Sequence, residues 1–139
     1  MNEAVTIVMI EDDEGHARLI EKNIVRAGVS NPIKHFVNGA DALSYLSSEG
    51  RPKSLLILLD LNLPDMTGID ILQRLKDDAL LRPSPVIVLT TTDDKREIER
   101  CYQLGCSVYI TKPVEYEHFA HAIRQLGLFF SVIQVPEKI

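Results

Sequence analysis

The stretch at residues 55–68, LLILLDLNLPDMTG, constrains the fold more than any other part of the sequence. Its opening apolar run is too short for a membrane span and matches a strand buried on both faces, as in a parallel sheet. Asp60 ends the run, and it must meet water, a metal or a cation there, because burying an unpaired carboxylate costs several kcal/mol. Turn and helix-start residues follow. The stretch therefore predicts a strand, an exposed carboxylate, a tight loop and a helix.

The rest of the chain repeats this strand and helix pattern. Further short apolar runs predict strands at residues 5–10, 33–37, 86–89 and 108–110. Apolar residues with helical spacing follow each strand, at residues 14–27, 38–50, 67–78, 98–105 and from 114 onward. Gly50 is predicted to end the second helix, and the last helix is predicted to begin near Val114. Five strands alternating with five helices predict an α/β fold with a parallel sheet and helices on both faces.

Polar side chains follow four of the predicted strands. They are Glu11, Asp12, Asp60, Thr90 and Lys112. Because the carboxyl ends of parallel strands lie along one edge, where open α/β sheets place their sites, these residues should meet there. Converging carboxylates without cysteine or paired histidine suit a divalent ion with oxygen ligands, most simply Mg2+. A carboxylate nucleophile beside a metal and an ammonium is what phosphoryl transfer needs. Each residue alone is more often a cap, turn or surface residue, so the prediction rests on their joint placement.

Four segments, IVMIEDD, LLILLDLNLPDMTG, VIVLTTTDD and YITKP, together resemble the receiver domain of two-component response regulators. The resemblance covers residues 1–127 and implies a flavodoxin-like (βα)5 three-layer sandwich with strand order 2-1-3-4-5. It implies that Asp60 accepts a phosphoryl group from a histidine kinase. It also implies that the protein is not an enzyme, apart from self-phosphorylation and autodephosphorylation.

The resemblance further implies a metal site at the acidic residues. Asp12 and Asp60 would bind Mg2+ directly, and Glu11 would act through a water molecule. The carbonyl of Asn62 would supply a further ligand. Mg2+ is therefore the cofactor that we expect.

The switch residues are also implied by the resemblance. Thr90 would be the hydroxyl that moves to the phosphoryl group, and Tyr109 the aromatic residue that follows it inward. Lys112 would be the partner of the phosphoryl group, and the peptide bond after it is expected to be cis. His16 and His35 are interpreted as ordinary surface or edge residues.

The C-terminal extension, residues 128–139, is too short for an effector domain and is more apolar than a free tail should be. One interpretation is that it folds back on its own core. The arrangement is similar to single-domain regulators that accompany phytochromes, whose extended last helix and C-terminal end form a homodimer. This similarity implies a phytochrome-type kinase as partner and a homodimer through the last helix and the extension. The expected dimer contacts are Phe119, Ile123, Phe129, Phe130 and Ile133.

Composition excludes several classes of function. A formal net charge of -5 argues against binding to nucleic acid or to anionic membranes. The sequence has neither an apolar stretch of about 20 residues nor a signal peptide, so we expect a cytoplasmic protein. Two rival functions stay open at this point. A haloacid-dehalogenase-like phosphatase would want a second Asp where Asn62 stands, and a constitutive dimerisation or scaffold module would carry a vestigial site.

Overall fold

The computed structural model describes residues 5–130, with side chains described for residues 5–125. Within residues 5–130, five strands and five helices alternate without exception. The strands are β1 (Thr6–Ile10), β2 (Ile33–Phe36), β3 (Leu55–Asp60), β4 (Val86–Thr90) and β5 (Val108–Thr111). The helices are α1 (Glu14–Arg26), α2 (Gly39–Leu46), α3 (Gly68–Asp77), α4 (Lys95–Leu104) and α5 (Tyr116–Phe130).

The strands form one parallel sheet in the order β2-β1-β3-β4-β5. Alternate residues of each central strand enter two separate apolar layers. Leu56 and Leu58 of β3 pack with α1 and α5, whereas Ile57 and Leu59 pack on the opposite face with α2, α3 and α4. Because both faces of the sheet are covered, β1, β3 and β4 are apolar except for one polar residue at an end of each strand. The predicted three-layer fold and its strand order are confirmed.

Two helix boundaries differ from the sequence expectations. Gly50 does not end α2, which stops at Leu46 with Ser47 as its C-cap. The residues between Ser47 and Gly50 are exposed, so no apolar stripe holds them in the helix. The last helix begins at Tyr116 rather than near Val114. The peptide bond between Lys112 and Pro113 is cis, as expected.

The inner face of α5 corrects part of the predicted dimer contact. Phe119 and Ile123 are 0% and 1% exposed and lie in the apolar core with α1 and the sheet. The apolar face of α5 on which they lie therefore packs against the protein's own core, and neither side chain is available to a partner. The side chains of Phe129 and Phe130, and the whole of Ile133, lie outside the described residues. No helix in the described range combines the length and apolar character needed to cross a membrane.

Gly68 holds the start of α3 against the end of β3. Its backbone N–H donates to the Leu61 carbonyl at 2.9 Å. A Cβ at this position would lie 2.5 Å from the Asp60 carbonyl oxygen and 2.6 Å from the Leu61 Cα. Both of these are backbone atoms, so the strand and the helix would have to move apart.

We therefore expect Gly68→Ala to lower the free energy of unfolding by about 2 kcal/mol, the usual cost of overpacking. Urea denaturation measures this change. Gly50→Ala is the matched control, because a Cβ at Gly50 would meet nothing within 4 Å. An equal and small effect of both substitutions would contradict the proposed close contact.

Candidate functional site

Three carboxylates gather at the carboxyl edge of the sheet. Glu11 and Asp12 directly follow β1, and Asp60 is the last residue of the neighbouring β3. One oxygen of each carboxylate lies within 4.8 Å of the others. Glu11 and Asp60 are buried and Asp12 is exposed. The site is therefore an acidic cluster that opens to solvent on the Asp12 side.

Lys112 supplies a cation to the buried side of this cluster. It follows β5, and its Nζ donates to Glu11 Oε1 at 2.7 Å and to Asp60 Oδ2 at 3.4 Å. Its side chain is only 6% exposed. Burial raises the pKa of Glu11, the Lys112 hydrogen bond lowers it, and the negative charge of Asp60 raises it again, so that the net direction is upward. Burial is thus the main reason that the Glu11 carboxylate holds a proton more tightly than it would in water.

Thr90 and Asn62 close a second side of the cluster. The Asn62 backbone N–H donates to Asp60 Oδ1 at 3.1 Å, and its side-chain amide donates to Thr90 Oγ1 at 3.3 Å. Thr90 ends β4 and is fully buried. Tyr109 lies on the adjacent strand β5, and its hydroxyl donates to the Thr92 carbonyl at 3.0 Å. Burial raises the pKa of the Tyr109 phenol, which keeps it protonated and a donor. All the predicted site residues thus lie at this edge of the sheet.

Asp65 ties the loop after the site to the neighbouring helix. Its two carboxylate oxygens accept hydrogen bonds from the backbone N–H groups of Gly39 and Ala40, at 2.9 and 2.8 Å. These two residues begin α2, where the first backbone N–H groups have no acceptor within the helix. The Asp65 carboxylate therefore accepts from two of them, in addition to the contact made by Asn38, the N-cap of α2. The Gly39 hydrogen bond is the largest of the causes that lower the pKa of Asp65.

We expect the stability contributed by the Asp65 charge to disappear in acid. A carboxylate whose pKa is lower in the folded than in the unfolded chain stabilises the fold above the unfolded value, here 3.8, and loses that effect as the pH falls through the folded value. Asp65→Asn should therefore lower the urea midpoint at neutral pH and have a shrinking effect below 3.8. The control is Asp77→Asn, because among the described residues the Asp77 carboxylate accepts only from the Gln73 side chain. A pH-independent difference would contradict a role for the charge.

Two histidines contact the site, and neither contact was predicted from the sequence. The His35 Nε2 lies 2.7 Å from the backbone carbonyl oxygen of Glu11. The His16 Nδ1 lies 3.1 Å from the Lys112 Nζ. His16 is exposed on α1 and His35 lies on the edge strand β2, so both positions agree with the interpretation of surface or edge residues. Their helix and strand positions were predictable, but the contacts join residues 24 and 96 positions apart in the chain.

This geometry can be compared with known proteins. The family profile described as Response regulator receiver domain matches residues 7–124 of the chain. The chain belongs to the response regulator receiver family. The match over residues 7–124 favours a receiver domain over the haloacid-dehalogenase-like phosphatase, which is a different protein class.

Solved structures of related proteins agree with this receiver over nearly its full length. A response regulator receiver domain from Rhodospirillum rubrum is 66% identical and has a TM-score of 0.79. The match covers 96% of this chain and 99% of the chain from Rhodospirillum rubrum. The bacteriophytochrome response regulator RtBRR is 34% identical with a TM-score of 0.80, covering 97% of this chain and 85% of its own.

A curated relative adds a metal-bound structure to the comparison. Response regulator Rcp1 from Synechocystis is 30% identical over 115 residues, which are 80% of this receiver and 78% of Rcp1. The solved Mn2+-bound form of Rcp1 is 26% identical, has a TM-score of 0.76, and covers 96% of this chain and 99% of its own. The resemblance to phytochrome-associated response regulators, inferred from the C-terminal sequence, is therefore confirmed at the level of related proteins.

Proposed function

We propose that this receiver accepts a phosphoryl group from a histidine kinase onto Asp60, with Mg2+ as its cofactor. The observation that carries the proposal is the position of Asp60 between a buried ammonium and two further carboxylates. The ammonium of Lys112 can meet the oxygens of an incoming phosphoryl group, and the carboxylates can hold a metal. The protein would have no catalytic activity beyond its own phosphorylation and dephosphorylation.

The reaction requires a carboxylate nucleophile and positive charge around the phosphorus. An Asp60 carboxylate oxygen would attack the phosphorus of the phosphohistidine. An O–P bond forms, the P–N bond breaks, and its electron pair passes to the imidazole nitrogen of the kinase. Lys112 would stabilise the charge on the transferring oxygens, since its Nζ already lies 3.4 Å from Asp60 Oδ2.

The donor set fits a hard divalent cation. Oxygen ligands at this spacing suit Mg2+, and the three carboxylates outnumber the single ammonium of Lys112 beside them. Asp12 and Asp60 would bind the ion directly, Glu11 would act through water, and the Asn62 carbonyl would add a ligand. When bound, Mg2+ would neutralise carboxylate charge and polarise the phosphoryl oxygens. The existence of an Mn2+-bound form of the relative Rcp1 supports the proposal that this receiver binds a divalent metal.

Thr90 and Tyr109 would carry the signal away from Asp60. The Thr90 hydroxyl would move to the phosphoryl group and leave its Asn62 contact of 3.3 Å. Tyr109 would follow inward and release the Thr92 carbonyl. Tyr109 also lines a groove of about 540 Å3 between β5 and α5, so its movement would change a surface that another protein can contact. Signalling would then proceed through protein contacts in the cytoplasm, without binding to nucleic acid or membranes.

Intact mass spectrometry tests the proposed chemistry. The full chain is incubated with acetyl phosphate in the presence of Mg2+ or of a chelator. We expect one added phosphoryl group with Mg2+ and none with the chelator. If no mass is added under either condition and partner binding is unaffected by the phosphodonor, the constitutive scaffold alternative is favoured.

A phytochrome-type histidine kinase is the partner that the relatives support best. Solved relatives include a bacteriophytochrome response regulator and a phosphorylated cyanobacterial phytochrome response regulator, RcpA. Phosphotransfer from a panel of radiolabelled histidine kinases tests this assignment. We expect the fastest transfer from a phytochrome kinase, and faster transfer from a kinase of another sensory class would contradict it.

We also propose that residues 128–139 form a dimer contact beside the receiver domain of residues 1–127. Since Phe119 and Ile123 are buried in the core, the proposed contact now rests on Phe129, Phe130 and Ile133. Light scattering of the full chain at micromolar concentration should give the mass of a dimer. Phe129→Ser with Phe130→Ser should give the monomer mass. Leu80→Ser, at a side chain that is 78% exposed on another surface, should leave the dimer intact.

A further inference from the structure

The Lys112 ammonium has a third contact besides its two carboxylates. It carries three N–H donors, and two of them are used by Glu11 and Asp60. The third acceptor is Nδ1 of His16, at 3.1 Å. An ammonium can only donate, so the lone pair of Nδ1 is the acceptor in this contact. The His16 ring thus offers the lysine an acceptor that carries no carboxylate charge.

The first turn of α1 fixes the position of the His16 ring. The His16 backbone N–H donates to Oδ1 of Asp13, the N-cap of the helix, at 2.9 Å. The ring is 46% exposed, whereas the Lys112 side chain is 6% exposed. His16 Nδ1 is also 3.8 Å from Glu11 Oε2, which is too long for a hydrogen bond. Lys112 is therefore the group in the acidic site to which the ring bonds.

We propose that His16 is a positioning residue, whose Nδ1 holds the Lys112 ammonium at the orientation needed for phosphoryl transfer. This inference rests on the proposed function of Asp60. The contact to Asp60 is the longest of the three lysine contacts, at 3.4 Å. It is the one that can be exchanged for a phosphoryl oxygen while Glu11 and His16 keep the Nζ in place.

His16→Leu and His16→Asn separate hydrogen bonding from packing. Leucine fills much of the ring volume but accepts no hydrogen bond. Asparagine places its carbonyl oxygen near the position of Nδ1 and keeps the acceptor. The control is His118→Leu, at a histidine exposed on α5 that pairs only with Glu115 in the described part of the chain.

The first measurement is the phosphorylation rate of the full chain with acetyl phosphate at saturating Mg2+. We expect His16→Leu to slow it by about tenfold, the scale of one hydrogen bond to a charged group. His16→Asn should restore the rate to within about threefold of wild type, since it keeps that hydrogen bond. The Mg2+ affinity, measured by calorimetry, should be equal in all variants, because His16 acts on the lysine.

A double variant tests whether His16 acts through Lys112. If it does, His16→Leu should slow phosphorylation of wild type but add nothing to Lys112→Met. Additive losses, equal defects in the Leu and Asn variants, or a wild-type rate in His16→Leu would each overturn the inference. A changed Mg2+ affinity would also overturn it. Failure of wild type to take up phosphate would instead reject the proposed function itself, so the two failures are distinguishable.

Discussion

Asp60→Asn is expected to abolish phosphorylation without unfolding the protein. The amide is not a nucleophile under these conditions, so the phosphoryl mass added to wild type should be absent from the variant. The amide oxygen can still accept the Asn62 N–H that bonds Asp60 Oδ1 at 3.1 Å. The local hydrogen bonding of the β3 end is therefore kept.

The stability of the same variant separates loss of chemistry from loss of fold. Asp60 raises the pKa of Glu11 through its charge, so the two carboxylates repel each other in the metal-free site. Removing one charge should leave the free energy of unfolding in chelator unchanged or raise it by about 1 kcal/mol. Asp77→Asn on the exposed side of α3 is the control and should keep full phosphorylation. Phosphate uptake by Asp60→Asn would show that another residue is the acceptor.

Most of the fold and the centre of the site were predictable because both follow from short-range patterns. The apolar run before Asp60 identifies a buried parallel strand, and the alternation with helices fixes which ends of the strands meet. Glu11, Asp60 and Lys112 lie at the carboxyl ends of three different strands, and these positions suffice to bring them together. Their distances and the direction of the Glu11 pKa required the folded structure.

The remaining features depend on contacts between distant elements. The helical stripe through Phe119 and Ile123 shows that they share a face, but not that this face covers the protein's own sheet. Asp65 reaches the start of α2, 25 and 26 residues away, only because the two loops are neighbours in space. His16 has the helical position that the pattern predicts, yet its contact with Lys112 depends on how α1 lies against the end of β5.

Lys112→Met is expected to lower both the phosphorylation rate and the free energy of unfolding. We expect Mg2+ to restore the stability but not the rate. The substitution keeps a similar side-chain volume but leaves Glu11 and Asp60, 2% and 5% exposed, without their cation. Breaking a buried ion pair on one side costs about 3–5 kcal/mol, so the free energy of unfolding in chelator should fall by that amount. Phosphorylation should slow by about 100-fold, as for loss of a group that stabilises transition-state charge.

Saturating Mg2+ should recover much of the lost stability, since a divalent cation offsets the same carboxylates, but it should not restore the rate. Lys76→Met is the matched control. The Lys76 Nζ donates to the carbonyls of Arg82 and Ser84 at 2.9 and 3.0 Å, away from the acidic site. That variant should lose stability that Mg2+ does not recover, and it should still be phosphorylated. If Mg2+ restored the rate of Lys112→Met as well, the lysine would act on the fold and not on the transferring phosphoryl group.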